Sequence, residues 1–387
     1  MKYFFIAGEP SGDLHARHLM DAIKQKDAKA EISYWYRPEL AYMGFVSVAM
    51  HLPEILRGMK ECKESIKEFS PDRLILVDYP GFNLKIAAWF HNTFAKETKN
   101  SVTPTPQVIY YIPPKIWAWK EGRIAQIRKY VDKVLSILPF EVQWYAERYD
   151  HHVDYVGNPT LDEIDTFRKQ LQPQETENWK RKLNLGEEKI VALMPGSRRQ
   201  EIELNLPMML RAAMKADKGI HYVVASAPNM TTEFYNDIID RTLSKTDKQF
   251  KSRITLAPCQ GSKSSFMLLH CAHAALVTSG TATLETAIMG VPQAVCYAMR
   301  WGKIVSWLRT FMLKVPYVSL VNLISGMETV PELIAGELTQ KELDKTLKRI
   351  LSNDTYRQEQ QLGYKNMMQI LGTPGAPEKA ADIITTE

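Results

Sequence analysis

A chain of 387 residues with 45% apolar composition is too long for a single hydrophobic core and calls for two domains. Its formal charge of +5 admits anionic partners such as nucleotides or phospholipid headgroups, and the lack of a Lys/Arg arm with interleaved aromatics disfavours nucleic acid. The four cysteines, Cys62, Cys259, Cys271 and Cys296, form no CxxC pair, which argues for a reduced, cytoplasmic protein without a zinc site or disulfide framework.

The N-terminal "KYFFIA" is too short for a signal peptide and predicts a first strand, followed by a helix from about Ser11 to Lys26. No run of eighteen apolar residues occurs, so any membrane contact is expected to be peripheral. "RLILV" (73–77) then precedes the helical "NLKIAAWFHNTFAKE", and "QVIYYI" and "VLSIL" each lead into charged helical stretches. This βα rhythm predicts an α/β fold with doubly wound parallel sheets. It breaks near Pro159 into "RKQLQPQETENWKRKLNLGEEK", a linker or a surface helix, and restarts with "KIVALM", "HYVVAS", "RITLA", "AALVT" and "PQAVCY". The expected domains are 1–165 and 166–372, with a C-terminal helix in 373–387 packing back on the first.

Ligands of such sheets bind outside the carboxyl ends of the strands, so the turns there carry the functional candidates. In "AGEPSGDLHARH" (7–18), Gly8 and Gly12 flank Glu9, Pro10 and Ser11. This is not GxGxxG; it reads either as a capped turn or as a site for an acid. His15 and His18 fit a solvated helix face better than a metal site. In "VDYPGFN" (77–83), Asp78 stands where a general base belongs, or braces its turn, and Asn83 is placed to cap the next helix. "IPPKIWAWKEGR" (112–123) combines Trp117, Trp119 and Lys120, which suits a sugar or an anion, or a buried Trp pair.

"LMPGSRRQEIELNLP" (193–207) opens a helix after Gly196, Ser197 and Arg198, the makings of a phosphate site. "TSGTATLETAIMGVP" (278–292) offers Ser279, Gly280 and Thr281 as a diphosphate cradle. Glu285, one turn later, would repel phosphate and suits a ribose diol. Between 299 and 324, an aromatic-cationic amphipathic stretch carries Trp301, Trp307 and Arg309. It suits a membrane surface or an acyl chain, or else a buried helix with snorkelling cations. Asn322 follows in a turn expected near the nucleotide.

Taken in order, "GEPSGDLH", "LAYMGF", "VDYPGFNLKIA", "PPKIWAWKEGRI", "ILPFE", "YVGNPTLDEI", "MPGSRRQEIE", "TSGTATLETAIMGVP", "YVSLVNLI" and "PGAPEKAA" resemble the lipid-A-disaccharide synthase family over nearly the whole chain. The resemblance implies an inverting glycosyltransferase of the GT-B fold, two Rossmann-like domains facing a cleft, an acceptor side first and a UDP-sugar side second. It implies transfer from UDP-2,3-diacylglucosamine to 2,3-diacylglucosamine 1-phosphate, without cofactor or metal, at inner-membrane surface lipids on the cytoplasmic face. A homo-oligomer is compatible with it.

By resemblance, Asp78 takes the acceptor's proton with Glu9 as rival base. Arg198, with Gly196 and Ser197, meets the departing UDP, Ser279, Gly280 and Thr281 cradle its phosphates, and Glu285 holds its ribose. Asn322 adds a polar group there, and Ser11, Trp117, Trp119, Lys120, Trp301, Trp307 and Arg309 face the acceptor or the membrane. Two positions depart from the family's pattern: Pro10 replaces its usual Ala, and "SYWYRP" alone fills a connection that normally holds a further helix and strand. The shortened region 31–45 makes a catalytically impaired nucleotide- and membrane-binding relative one alternative. Another GT-B enzyme using UDP-N-acetylglucosamine is a second.

Overall fold

A computed structural model describes residues 1–40, 50–97, 105–118, 120–216, 219–228, 230–243, 247–259, 261–278, 280–298 and 315–386. They divide into two compact units, Met1–Pro159 with Thr373–Glu387, and Thr160–Gly372. The chain passes from the first to the second at the start of the helix Pro159–Gln170. The polar stretch after it is helical again over Pro173–Lys182.

The first unit holds β1 (Lys2–Ala7), β2 (Glu31–Tyr36), β3 (Arg73–Val77), β4 (Gln107–Tyr111), β5 (Lys133–Ser136) and β6 (Asp154–Tyr155). All pair in parallel in the order β2-β1-β3-β4-β5-β6. Strands of a parallel sheet are covered on both faces and are therefore apolar at every position. Alternate residues of β1, β3 and β4 feed two layers accordingly. Phe4, Ile6, Leu74, Leu76 and Tyr110 pack on one side. Tyr3, Phe5, Ile75, Val77 and Tyr111 pack on the other, against Leu19 and Ile23 of the helix Pro10–Lys26 and Ala380 and Ile384 of the C-terminal helix Ala376–Thr385. The described part of the connection after β2 is a short turn, Pro38–Leu40, and Leu40 packs inward. Its side chain lies where Gly58 of the helix Leu52–Phe69 leaves space, and a Cβ on that glycine would stand 2.3 Å from Leu40 Cδ1.

The second unit holds β7 (Lys189–Met194), β8 (Ile220–Ala225), β9 (Ile254–Ala257), β10 (Ala272–Val277), β11 (Gln293–Tyr297) and β12 (Glu332–Ile334), again all parallel, in the order β12-β11-β10-β7-β8-β9. In each unit the strand order reverses once, between β1 and β3 and between β7 and β10. Those are the topological switch points where open α/β sheets receive ligands. No helix among the described residues is long and apolar enough to cross a membrane.

Candidate active site

In the first unit the β1 and β3 turns interlock. Pro10 opens the helix after β1, and Glu9 is its N-cap, at φ −108° and ψ 155°. The Glu9 carbonyl accepts from Asp13 N at 2.9 Å, while its half-buried carboxyl makes no capping bond. Ser11 is exposed beside it. His15 turns inward; burial first, then His18, lowers its pKa to about 4. Among the described residues no three His, Cys, Asp or Glu side chains group as metal ligands.

Gly8 has a specific reason to lack a side chain: a Cβ there would lie 2.4 Å from Cγ of Tyr79. Tyr79 reaches past it to donate its hydroxyl to Leu40 O at 2.5 Å. Its ring stacks on Phe82, and Phe82 stacks on Trp35.

Asp78 and Tyr79 both have left-handed backbone, φ 47° and 48°. Such residues cost of order 1–3 kcal/mol each and persist only where their surroundings hold them. Here the Asp78 carbonyl accepts from Tyr110 Oη at 2.7 Å and from Asn83 Nδ2 at 2.7 Å, and Asp78 N donates to Tyr111 O at 3.3 Å. Burial raises the Asp78 pKa. The Lys115 charge, a hydrogen bond from Tyr79 N–H and the Arg123 charge pull against it. A half-buried carboxylate at a strand end, moved toward neutrality, can take a proton from a hydroxyl.

Asn83 does not cap a helix. It lies inside the helix Pro80–Glu97 and turns its amide back to Val77 O and Asp78 O. Trp117 likewise does not reach a surface. It is 6% exposed, packs edge-on against Phe140 and donates Nε1 to Glu141 Oε1 at 2.6 Å. Ser136 Oγ donates to the other oxygen of Glu141, whose pKa burial pushes up to about 7 against both hydrogen bonds and the Lys115 charge. Of the two readings of that loop, Trp117 follows packing, because burying an indole and a carboxylate together satisfies both. Lys120, at φ 55°, is exposed, and Trp119 lies outside the described residues.

In the second unit Thr278 N donates to Met194 O at 2.9 Å and ties the β10 turn to the end of β7. Gly196 has φ 119°, and Ser197 and Arg198 are exposed after it. Their backbone donors are not open. The Glu201 carboxylate folds back to accept from Ser197 N at 3.2 Å and Arg198 N at 3.3 Å, and Arg198 Nη1 stands 3.4 Å from its other oxygen. A Cβ on Gly196 would come within 2.8 Å of that carboxylate. Glu201 holds the position expected of a phosphate. Its spacing, three residues after the N-cap of the helix Arg199–Met214, is the sequence signal that could have revealed it.

Gly280 (φ 131°, ψ −159°) is the N-cap of the helix Thr281–Ile288, Thr281 is exposed, and Ser279 lies outside the described residues. Glu285 is half-buried, and among the described residues its carboxyl makes no hydrogen bond or ion pair. Burial, then the like charge of Glu163, raises its pKa to about 7. A desolvated carboxylate without an internal partner is prepared for an external donor.

Asn322 gives way as a nucleotide ligand. It is fully buried, donates Nδ2 to Val330 O and Glu332 Oε1, and accepts on Oδ1 from Thr329 N and Val330 N. All its hydrogen-bonding capacity is spent on bracing the 329–332 segment. Trp301, Trp307 and Arg309, with the whole of 299–314, lie outside the described residues. A cavity of about 480 Å³ lined by Met327, Arg349, Tyr356 and Leu362 includes none of the turn residues.

The profile of the lipid-A-disaccharide synthetase family matches residues 3–383. The lipid-A-disaccharide synthase of Myxococcus xanthus is 33% identical over 398 residues, covering 98% of this chain and 95% of that one. Among solved structures, S. aureus MnaA with UDP has a TM-score of 0.64 at 12% identity, covering 97% of this chain and 94% of that one. UDP-GlcNAc 2-epimerase from Neisseria meningitidis, bound to UDP-GlcNAc, has a TM-score of 0.62 at 13% identity, covering 99% and 98%. At that identity the structural likeness establishes the shared two-domain fold.

Proposed function

The chain belongs to the lipid-A-disaccharide synthase family, glycosyltransferases of lipid A biosynthesis, and from that premise we propose its substrates and its working residues. The donor is UDP-2,3-diacylglucosamine and the acceptor 2,3-diacylglucosamine 1-phosphate. The acceptor's 6-hydroxyl loses its proton to Asp78 as its oxygen attacks the anomeric carbon. The bond from that carbon to the diphosphate breaks with inversion, and the electron pair leaves on UDP.

The observation that carries this reading is Asp78: a half-buried carboxylate at the β3 end of a switch point, its pKa raised by burial and its backbone held off the relaxed conformations. A carboxylate in that state is a competent base for a sugar hydroxyl, which is a poor nucleophile until deprotonated. Glu9, the N-cap residue of the helix Pro10–Lys26, is the rival at the same switch point. In the second unit, Gly196, Ser197, Arg198, Gly280 and Thr281 receive the diphosphate with Ser279, and Glu285 holds the ribose diol. The UDP and UDP-GlcNAc carried by the two structural neighbours support a nucleotide-sugar donor. Leaving-group charge is met by the Arg198 guanidinium and the N-terminus of the helix Thr281–Ile288, with the Ser197 and Arg198 N–H groups joining once UDP displaces the Glu201 carboxylate. Both substrates carry acyl chains, so the enzyme works peripherally, at a membrane surface.

The test is turnover by the purified full-length chain with both lipids in detergent, read by mass spectrometry. Disaccharide 1-phosphate is the expected product. UDP-sugar binding without disaccharide would refute the transferase reading and leave a nucleotide-binding relative.

A further inference from the structure

We propose that Tyr110 is a positioning residue for the transfer reaction, acting with Asn83 to fix the direction in which Asp78 presents its carboxylate. The inference rests on Asp78 being the base.

A side chain's direction is set by the two peptide planes that flank its Cα. At Asp78 both planes are tied to the neighbouring strand β4. The plane before it is held by Asp78 N donating to Tyr111 O, and the plane after it by Tyr110 Oη donating to Asp78 O at 2.7 Å. Asn83 Nδ2 shares that acceptor at 2.7 Å. The held plane fixes ψ of Asp78 and φ of Tyr79, the two torsions that would relax first from a left-handed pair. Tyr110 and Asn83 are both completely buried, so these donors are shielded from water and cannot be exchanged for it.

The Tyr110 hydroxyl stays a donor at every working pH. Burial, reinforced by the Asp78 charge, holds its pKa well above that of a free tyrosine. A phenylalanine at 110 would keep the ring in its apolar layer and remove only the hydroxyl. The alternating pattern of β4 explains why one strand supplies both ties: Tyr110 faces one core layer, while Tyr111 faces the other and offers its backbone carbonyl.

The experiment compares wild type, Tyr110→Phe and Asp78→Asn of the full-length chain in the disaccharide assay, with UDP binding by calorimetry and thermal melting as a fold check. Loosened positioning is expected to lower kcat in Tyr110→Phe roughly 10- to 100-fold, the scale of a 1 Å misplacement. KM for the UDP-sugar and Kd for UDP should stay within about twofold, a split that general destabilisation does not give. The acid limb of the kcat/KM profile should move to lower pH. A loosened turn lets water reach Asp78 and reduces the burial that raises its pKa, while Lys115 and Arg123 still favour its charged form.

If Asp78→Asn is inactive and Tyr110→Phe keeps wild-type kcat and pH limb, the positioning role is overturned while the base stands. If Asp78→Asn is active, the base reading fails and the inference with it. Should Tyr110→Phe not fold, Asn83→Ala removes the second donor, keeps the ring, and is expected to show the same kcat loss with unchanged UDP binding. An unchanged kcat there would overturn the proposal.

Discussion

The two switch points solve one geometric problem by opposite means. Each needs a sharp left-handed corner where a parallel strand meets its helix. In the second unit glycines supply it, Gly196 at φ 119° and Gly280 at φ 131°. In the first unit the corner after β3 falls on Asp78 and Tyr79, at φ 47° and 48°. The difference matches what each turn is proposed to present. A cradle for phosphates presents backbone N–H groups, and glycine exposes them at the least steric cost. A turn that presents a carboxylate cannot use glycine at that position, so it accepts strain and offsets it with the bonds from Tyr110, Asn83 and Tyr79.

The carboxylates of the two turns contrast as well. Burial raises both pKa values, but Asp78 has Lys115 and Arg123 for company, whereas Glu285 has the like charge of Glu163. Asp78 is therefore held ready to ionise, and Glu285 has no hydrogen-bond donor among the described residues.

The comparison is broken most directly at Asp78. Asp78→Asn keeps the shape of the turn and removes the proposed base, so turnover should fall about 10²- to 10⁴-fold with UDP affinity unchanged. An active variant would transfer the role to Glu9. Next in size, Gly280→Ala tests whether the second unit depends on glycine. Among the described residues no atom lies within 4 Å of the added Cβ, so the cost there is backbone strain, roughly 1–3 kcal/mol, read by denaturant unfolding. A neutral substitution would erase the distinction between the two corners.

Glu285→Gln sharpens the electrostatic half. UDP affinity should fall about tenfold at pH 8, the loss of one charge-assisted hydrogen bond. The pH dependence has a definite sign. With a pKa near 7 in the folded state, above its ordinary 4.5, Glu285 contributes stability below about pH 4.5 that is lost as pH rises through 7. The Gln variant should therefore melt higher than wild type at pH 8 and not at pH 4.5, and identical melting at both would show that the site is not strained by its charge. The smallest effect is expected for Glu201→Gln. Removing the carboxylate's charge from the Ser197 and Arg198 donors should tighten UDP binding about threefold, roughly 0.7 kcal/mol. Weaker binding would mean that Glu201 serves only to cap its helix.

The sequence alone determined the architecture and singled out candidate turns. Apolar runs such as "RLILV" and "KIVALM" are long enough to be strands buried on both faces, and burial on both faces demands a parallel sheet with helices on each side. The turns after them carry Asp78, Arg198 and Glu285, charged residues that the βα pattern places at strand ends, where ligands of such sheets bind. Strands β6 and β12, of two and three residues, escaped because so short a run carries no periodicity.

Only the tertiary structure decided which polar groups were already spent. Asn322, Trp117 and the N–H groups of Ser197 and Arg198 all look available in the sequence. In the fold, Val330 and Glu332 hold Asn322 and Glu141 holds Trp117, because a buried donor or acceptor must find a partner wherever the packing supplies one, while Glu201 caps the exposed Ser197 and Arg198 N–H groups at the start of its helix. The partners of Asp78 were hidden for the same reason: Tyr110 lies 32 residues away, and only the β3–β4 register brings its hydroxyl to the Asp78 carbonyl.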